Sequence, residues 1–140
     1  MKSVFDHSQI WMKKYSIDCL RISIGIVFLW FGLLKIFNVS PVVYIIQASY
    51  SFLPTNAFVM FLGVWEVIVG AGLLFKKALR ATLSLLVLQM LGTFSSLLLA
   101  PALFFSHNNI FLLTTEGEFV IKNLVLISGA LVIAAFQIEE

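Results

Sequence analysis

Glu66 stands in the middle of an apolar run covering about 57–75. That run is long enough to cross a bilayer, where an ionised group costs roughly 2.5–3.5 kcal/mol on insertion scales. A carboxylate there calls for a buried cation. Gly63 and Gly70, one turn to either side, share its helix face and let a second helix come close. Arg21, Lys35 and Lys122 each sit just inside the end of an apolar run, within reach of a long side chain from mid-depth. The expected direct partner is Arg21 or Lys122. Gln89 lies on a polar face with Gly92, Thr93 and Ser96 and can hydrogen-bond across helices.

Three uses of such a centre are open. It could be an ion pair that only fixes helix register. It could floor a small cavity for a quinone head group or another compact polar ligand. It could belong to a proton or ion path, although Glu66 and Gln89 alone make a thin relay.

Other chemistries lack their residues. His7 and His107 lie outside the apolar runs, so paired-histidine haem ligation is not expected. The one cysteine, Cys19, forms no intramolecular disulfide and no CxxC pair, and no metal-ligand spacing is present. Cys19 reads as a small buried hydrophobe in preference to a redox thiol. No phosphate-cradling glycine loop or nucleophile–base pair appears in the short connections.

The elements that must position these residues follow from composition. The chain is 61% hydrophobic and 11% charged, against about a quarter charged in soluble domains. Fourteen Phe and three Trp suit a lipid-facing surface with interfacial anchors. Spans are expected at about 17–37, 57–75, 81–105 and 116–137, each near the roughly 20 residues a membrane helix needs. Barrel strands would alternate every second residue, and these runs do not. The fold class is therefore all-α, a four-helix integral membrane bundle in a single domain over 1–140. The first run is longer than the apolar region of a signal peptide and is expected to be retained.

Lys2, Lys13, Lys14 and Arg21 flank the first span, and Lys76, Lys77 and Arg80 fill the second connection. By the positive-inside rule that connection and both termini face the cytoplasm. Those basic residues set topology and do not suggest a nucleic-acid site. Residues 1–16 read as a short interfacial helix or tether anchored by Trp11 and Tyr15.

In the first span Arg21, Gly25, Phe28, Gly32 and Lys35 form one stripe at i, i+4, i+7, i+11 and i+14. Two cations and two glycines would not be chosen to face lipid, so the stripe is placed inward. Snorkelling of Arg21 and Lys35 to the headgroups is the alternative. Ser40 before Pro41 is read as the N-cap of an interfacial helix over about 41–53. Pro101 should disrupt the third helix near its far end. Thr115 to Glu118 matches a capping box, which starts the fourth helix; there Lys122, Leu126 and Gly129 share a face.

Residues 20–35, with Arg21, Gly25, Gly32 and Lys35, resemble the first-helix signature of the DoxX superfamily of small four-helix membrane proteins. Gly63-x-x-Glu66-x-x-x-Gly70-x-x-Leu73-Leu74 resembles its second-helix signature, and residues 118–133 look like the last helix of its YkgB branch. The resemblance implies a bacterial inner-membrane protein linked to redox or oxidant stress, possessing relatives that are subunits of quinone-linked complexes. The first outer connection departs from the branch, being shorter and uncharged, which puts a reactive-chlorine role in doubt. The expectation is an accessory protein without autonomous catalysis, working with a redox partner or as a homo-oligomer. No cofactor is expected beyond a quinone. The alternatives are a quinone-binding subunit of an oxidoreductase and a small solute or ion conductor.

Overall fold

The computed structural model describes residues 2–138. It is 82% helical, with no strands among those residues. Four helices are long and apolar enough to cross a membrane.

Helix α1 covers Lys2–Ile36, 35 residues and about 52 Å at 1.5 Å per residue. That exceeds the roughly 30 Å hydrocarbon core, so its first turns project beyond the bundle. The sequence predicts a separate short interfacial helix or tether over residues 1–16. They are instead continuous with the span, because no glycine or proline precedes Gly25 and nothing stops the helix. Position 1 lies outside the described residues.

Helix α2 is Val43–Ser49, shorter than the expected 41–53. Ser40 does not cap it in the expected register: its Oγ accepts only a 3.5 Å bond from Val42 N, and Val42 takes the cap position. Helix α3 covers Thr55–Leu74, opened by Pro54, which stands at the N-cap with extended backbone. Helix α4 covers Leu79–Leu99 and does not run to 105. Proline disfavours helical geometry at the residue before it, and Ala100 accordingly leaves the helix (φ −136°, ψ 60°). A single turn, α5 (Pro101–Phe104), follows and buries Phe104 completely.

The last span is α6 (Thr115–Ile121) followed by α7 (Asn123–Gln137). A tightened i→i+3 bond from Val125 N to Lys122 O marks the join. The N-cap is Thr114, one residue earlier than the expected box; its Oγ1 accepts from Gly117 N at 3.1 Å. Gly117 fixes this register, because a Cβ there would strike the Phe104 carbonyl of α5.

Helix α1 packs along α3; α3 also touches α4, α4 touches α7 and α7 returns to α1. The chain thus runs up and down around one axis. A dense core fills the half of the bundle that holds Arg21, built from Ile24, Phe28, Val69, Leu73, Leu83, Leu86, Met90, Ala130 and Ile133. Outward positions are apolar as well, among them Ile26, Trp30, Ile68, Leu88 and Leu131. An apolar exterior this continuous exceeds the patches a soluble monomer exposes.

Candidate functional site

All five residues of the α1 stripe are buried: Arg21, Gly25, Phe28, Gly32 and Lys35. They do not converge on one centre. Lys35, not Arg21 or Lys122, pairs with Glu66. Its Nζ donates to Glu66 Oε2 at 2.8 Å and to Oε1 at 3.0 Å. Gln89 Nε2 donates to the same Oε1 at 2.6 Å. Only 6% of the Lys35 side chain and 10% of the Glu66 side chain are accessible.

Helix direction explains the choice. Side chains tilt toward the N-terminus of their own helix. Helices α1 and α3 are antiparallel, with Gly25 opposite Gly70 and Gly32 opposite Gly63. Lys35 therefore leans down α1 toward the Gly32–Gly63 level, and Glu66 leans up α3 toward the same level. Gly63 makes room for the lysine stem, since a Cβ there would stand 2.9 Å from Lys35 Cβ.

Arg21 leans the same way along α1, and because it starts on the far side of Glu66 the tilt carries it away from that carboxylate. Its guanidinium donates to the carbonyls of Leu73 and Leu74, at the C-terminal end of α3, and pairs with Asp18 Oδ1 at 3.2 Å. Gln137 Nε2, from the end of α7, closes on the same Asp18 oxygen at 2.6 Å. Cations suit the negative end of a helix, so Arg21 joins α1 to α3 and, through Asp18, to α7. Asp18 and Gln137 are not among the candidate residues above. The i,i+3 spacing of Asp18 and Arg21 was the available signal for the acid.

Lys122 turns outward: its side chain is 77% accessible and its Nζ lies 3.9 Å from Glu118 Oε2. Lys122→Ala should therefore shift stability by less than about 0.5 kcal/mol in an unfolding titration, as surface changes do. Cys19 is exposed and not buried, because it shares the outward face with Ile22 and Ile26. Gly129 sits under Ile24 Cδ1, at the contact of α7 with α1.

Above the ion pair the bundle is hollow. A cavity of about 600 Å³ is lined by Phe28, Phe31, Leu34, Leu62, Met90, Leu126 and other apolar side chains of all four long elements. Lys35, Glu66 and Gln89 supply polar groups, joined by Thr93 and Ser96. Helix α2 closes one side through Ile45, Ile46 and Ser49. Two tyrosines hold that flap: Tyr50 bonds Gly92 O and Ser95 Oγ on α4, and Tyr44 donates to Glu116 Oε1 at 2.7 Å on α6. Gln89 Oε1 and Ser49 Oγ are buried without partners.

Fold and site together define a class: a helical bundle fit to cross a membrane, with a buried Lys–Glu pair opening into an apolar chamber. Compared with known families, with curated proteins and with solved structures, the chain matches none.

Proposed function

We propose that this is a multi-pass protein of the bacterial cytoplasmic membrane that holds one amphipathic, lipid-soluble molecule in its chamber. The molecule is quinone-like in build, with a small polar head over the Lys35–Glu66–Gln89 floor and an apolar body against α2. The chamber is the observation that carries this reading: about 600 Å³ of mainly apolar space ending on one charged, hydrogen-bonded floor. Pockets of that size suit small organic ligands, and few convergent polar groups orient them. A compact, wholly polar ligand fits such walls poorly.

Membrane insertion is supported by the four apolar spans and the apolar exterior. The orientation, with Lys76, Lys77 and Arg80 toward the cytoplasm, rests on the positive-inside rule. The DoxX-like residues support a role in redox or oxidant-stress physiology, as an accessory or subunit working with a redox partner or a second copy. An ion-conducting role has less behind it, because Ile24, Phe28, Leu73 and Leu86 form an apolar layer between Glu66 and Arg21.

Native mass spectrometry of protein released from its own membrane in mild detergent tests the proposal. One lipid-soluble molecule per chain is expected on the wild type and its loss on Thr93→Trp, which fills the chamber. A ligand-free wild type, or an adduct retained by folded Thr93→Trp, would overturn it.

A further inference from the structure

We infer that the head group taken by this chamber is uncharged and carries a hydroxyl that donates a hydrogen bond. The inference rests on the ligand-binding reading above and narrows it. Lys35 has three N–H bonds and gives two of them to Glu66, leaving one donor. The Glu66 carboxylate offers about four acceptor sites. Lys35 fills one on each oxygen and Gln89 a second on Oε1, so Oε2 keeps one. Gln89 adds a further acceptor, because its Oε1 is buried beside the pair with no partner. The amide cannot be reversed to cure this, since its oxygen would then face the carboxylate.

The floor thus keeps two spare donors, the third Lys35 N–H and the second Gln89 Nε2–H, against about three spare acceptor sites, one on Glu66 Oε2 and two on Gln89 Oε1. A hydroxyl answers both at once, accepting from Lys35 Nζ and donating to Glu66 Oε2. A carbonyl or ether oxygen accepts from Lys35 and leaves the acceptors unfilled. Charge gives the second half of the inference. Lys35 and Glu66 cancel, so an anionic head would enter a dry site with no net positive charge and stand against a carboxylate. Fatty acids and phosphate heads are therefore disfavoured. Phenols, reduced quinones and long-chain alcohols share the required chemistry.

The test uses the full chain in phosphatidylcholine nanodiscs, with empty nanodiscs as the reference for partitioning. Three probes of one chain length are compared by equilibrium dialysis: para-nonylphenol, its methyl ether and para-nonylbenzoate. The phenol should bind about tenfold or more tighter than the ether, the usual penalty for a buried polar group left unmade. The benzoate should bind no better than to empty nanodiscs. Thr93→Trp should lose the phenol.

Equal binding of phenol and ether, abolished by Thr93→Trp, would overturn the donor requirement and leave the chamber reading standing. Tightest binding of the benzoate would overturn the neutral-head requirement in the same way. Binding of no probe, or binding unchanged in folded Thr93→Trp, would sink the chamber reading itself. The wild-type comparison of the three probes needs no variant.

Discussion

Lys35→Met should lower unfolding free energy by about 3–5 kcal/mol, the cost of leaving one member of a buried ion pair alone. Glu66→Leu should cost less, and the double variant should recover most of the loss. The asymmetry comes from reach. Glu66 lies roughly 12 Å from the C-terminal end of α3 and roughly 16 Å from its start, at 1.5 Å per residue. Its short side chain reaches neither end of the helix. Lys35 sits in the last turn of α1, so without Glu66 its ammonium can climb toward the headgroups. The double variant removes both desolvation penalties and leaves an apolar contact, and such replacements are often neutral or stabilising. Reversible unfolding in mixed micelles gives all three values and their coupling. Additive single costs would show that the two groups are not held as a pair. The exposed Lys122–Glu118 pair is the built-in comparison, expected to contribute at most about 1 kcal/mol.

Much of this arrangement is legible in the residues. The stripe from Arg21 to Lys35 follows from helical spacing and the cost of placing charge and glycine against lipid. The polar face of Gln89, Thr93 and Ser96 follows from the same period, and all three line the chamber. Reach from mid-depth does not distinguish the three cations, which is why the expected partners, Arg21 and Lys122, are not the observed one. Depth places Lys35 and Arg21 on opposite sides of Glu66; side-chain tilt in antiparallel helices decides between them, and it favours Lys35. The glycine spacing carried that register too, since Gly25 and Gly32 are seven residues apart, as are Gly63 and Gly70. A small polar cavity is one of the three uses the residues leave open, but the size and apolar walls of the chamber are not legible. The chamber exists because α2 stands over the bundle on Tyr44 and Tyr50, whose partners Glu116, Gly92 and Ser95 are more than forty residues distant in the chain. No local pattern reports contacts of that range. The end of α4 shows a nearer limit: hydropathy continues past Pro101, while backbone sterics stop the helix at Leu99.

Gly70→Ala and Gly32→Ala should each destabilise the bundle, by about 1–3 kcal/mol, the range for overpacking a tight contact. A Cβ at Gly70 would lie 2.5 Å from Leu29 N and 2.8 Å from Gly25 O. One at Gly32 would lie 2.7 Å from Gly63 O and 2.8 Å from Val67 N. These neighbours are backbone, so no rotamer change relieves them and α1 must move off α3. Gly129→Ala should be milder, because its nearest neighbour is the flexible end of Ile24 at 2.8 Å. Gly92→Ala should be neutral or stabilising by up to about 1 kcal/mol, since nothing lies within 4 Å of its Cβ and alanine is the better helix former. The two seam positions should also differ from each other. Gly32 and Gly63 are one turn from Lys35 and Glu66, so separating the helices there lengthens a charge-assisted bond now at 2.8 Å. Gly32→Ala should therefore be strongly non-additive with Lys35→Met, for once the pair is broken the wedge has less left to disturb. Gly70→Ala, two turns from the Gly32–Gly63 level toward which Lys35 and Glu66 both lean, should be closer to additive with Lys35→Met. If Gly32→Ala unfolds like wild type, or adds to Lys35→Met without coupling, then close approach of α1 to α3 is not what holds the ion pair together.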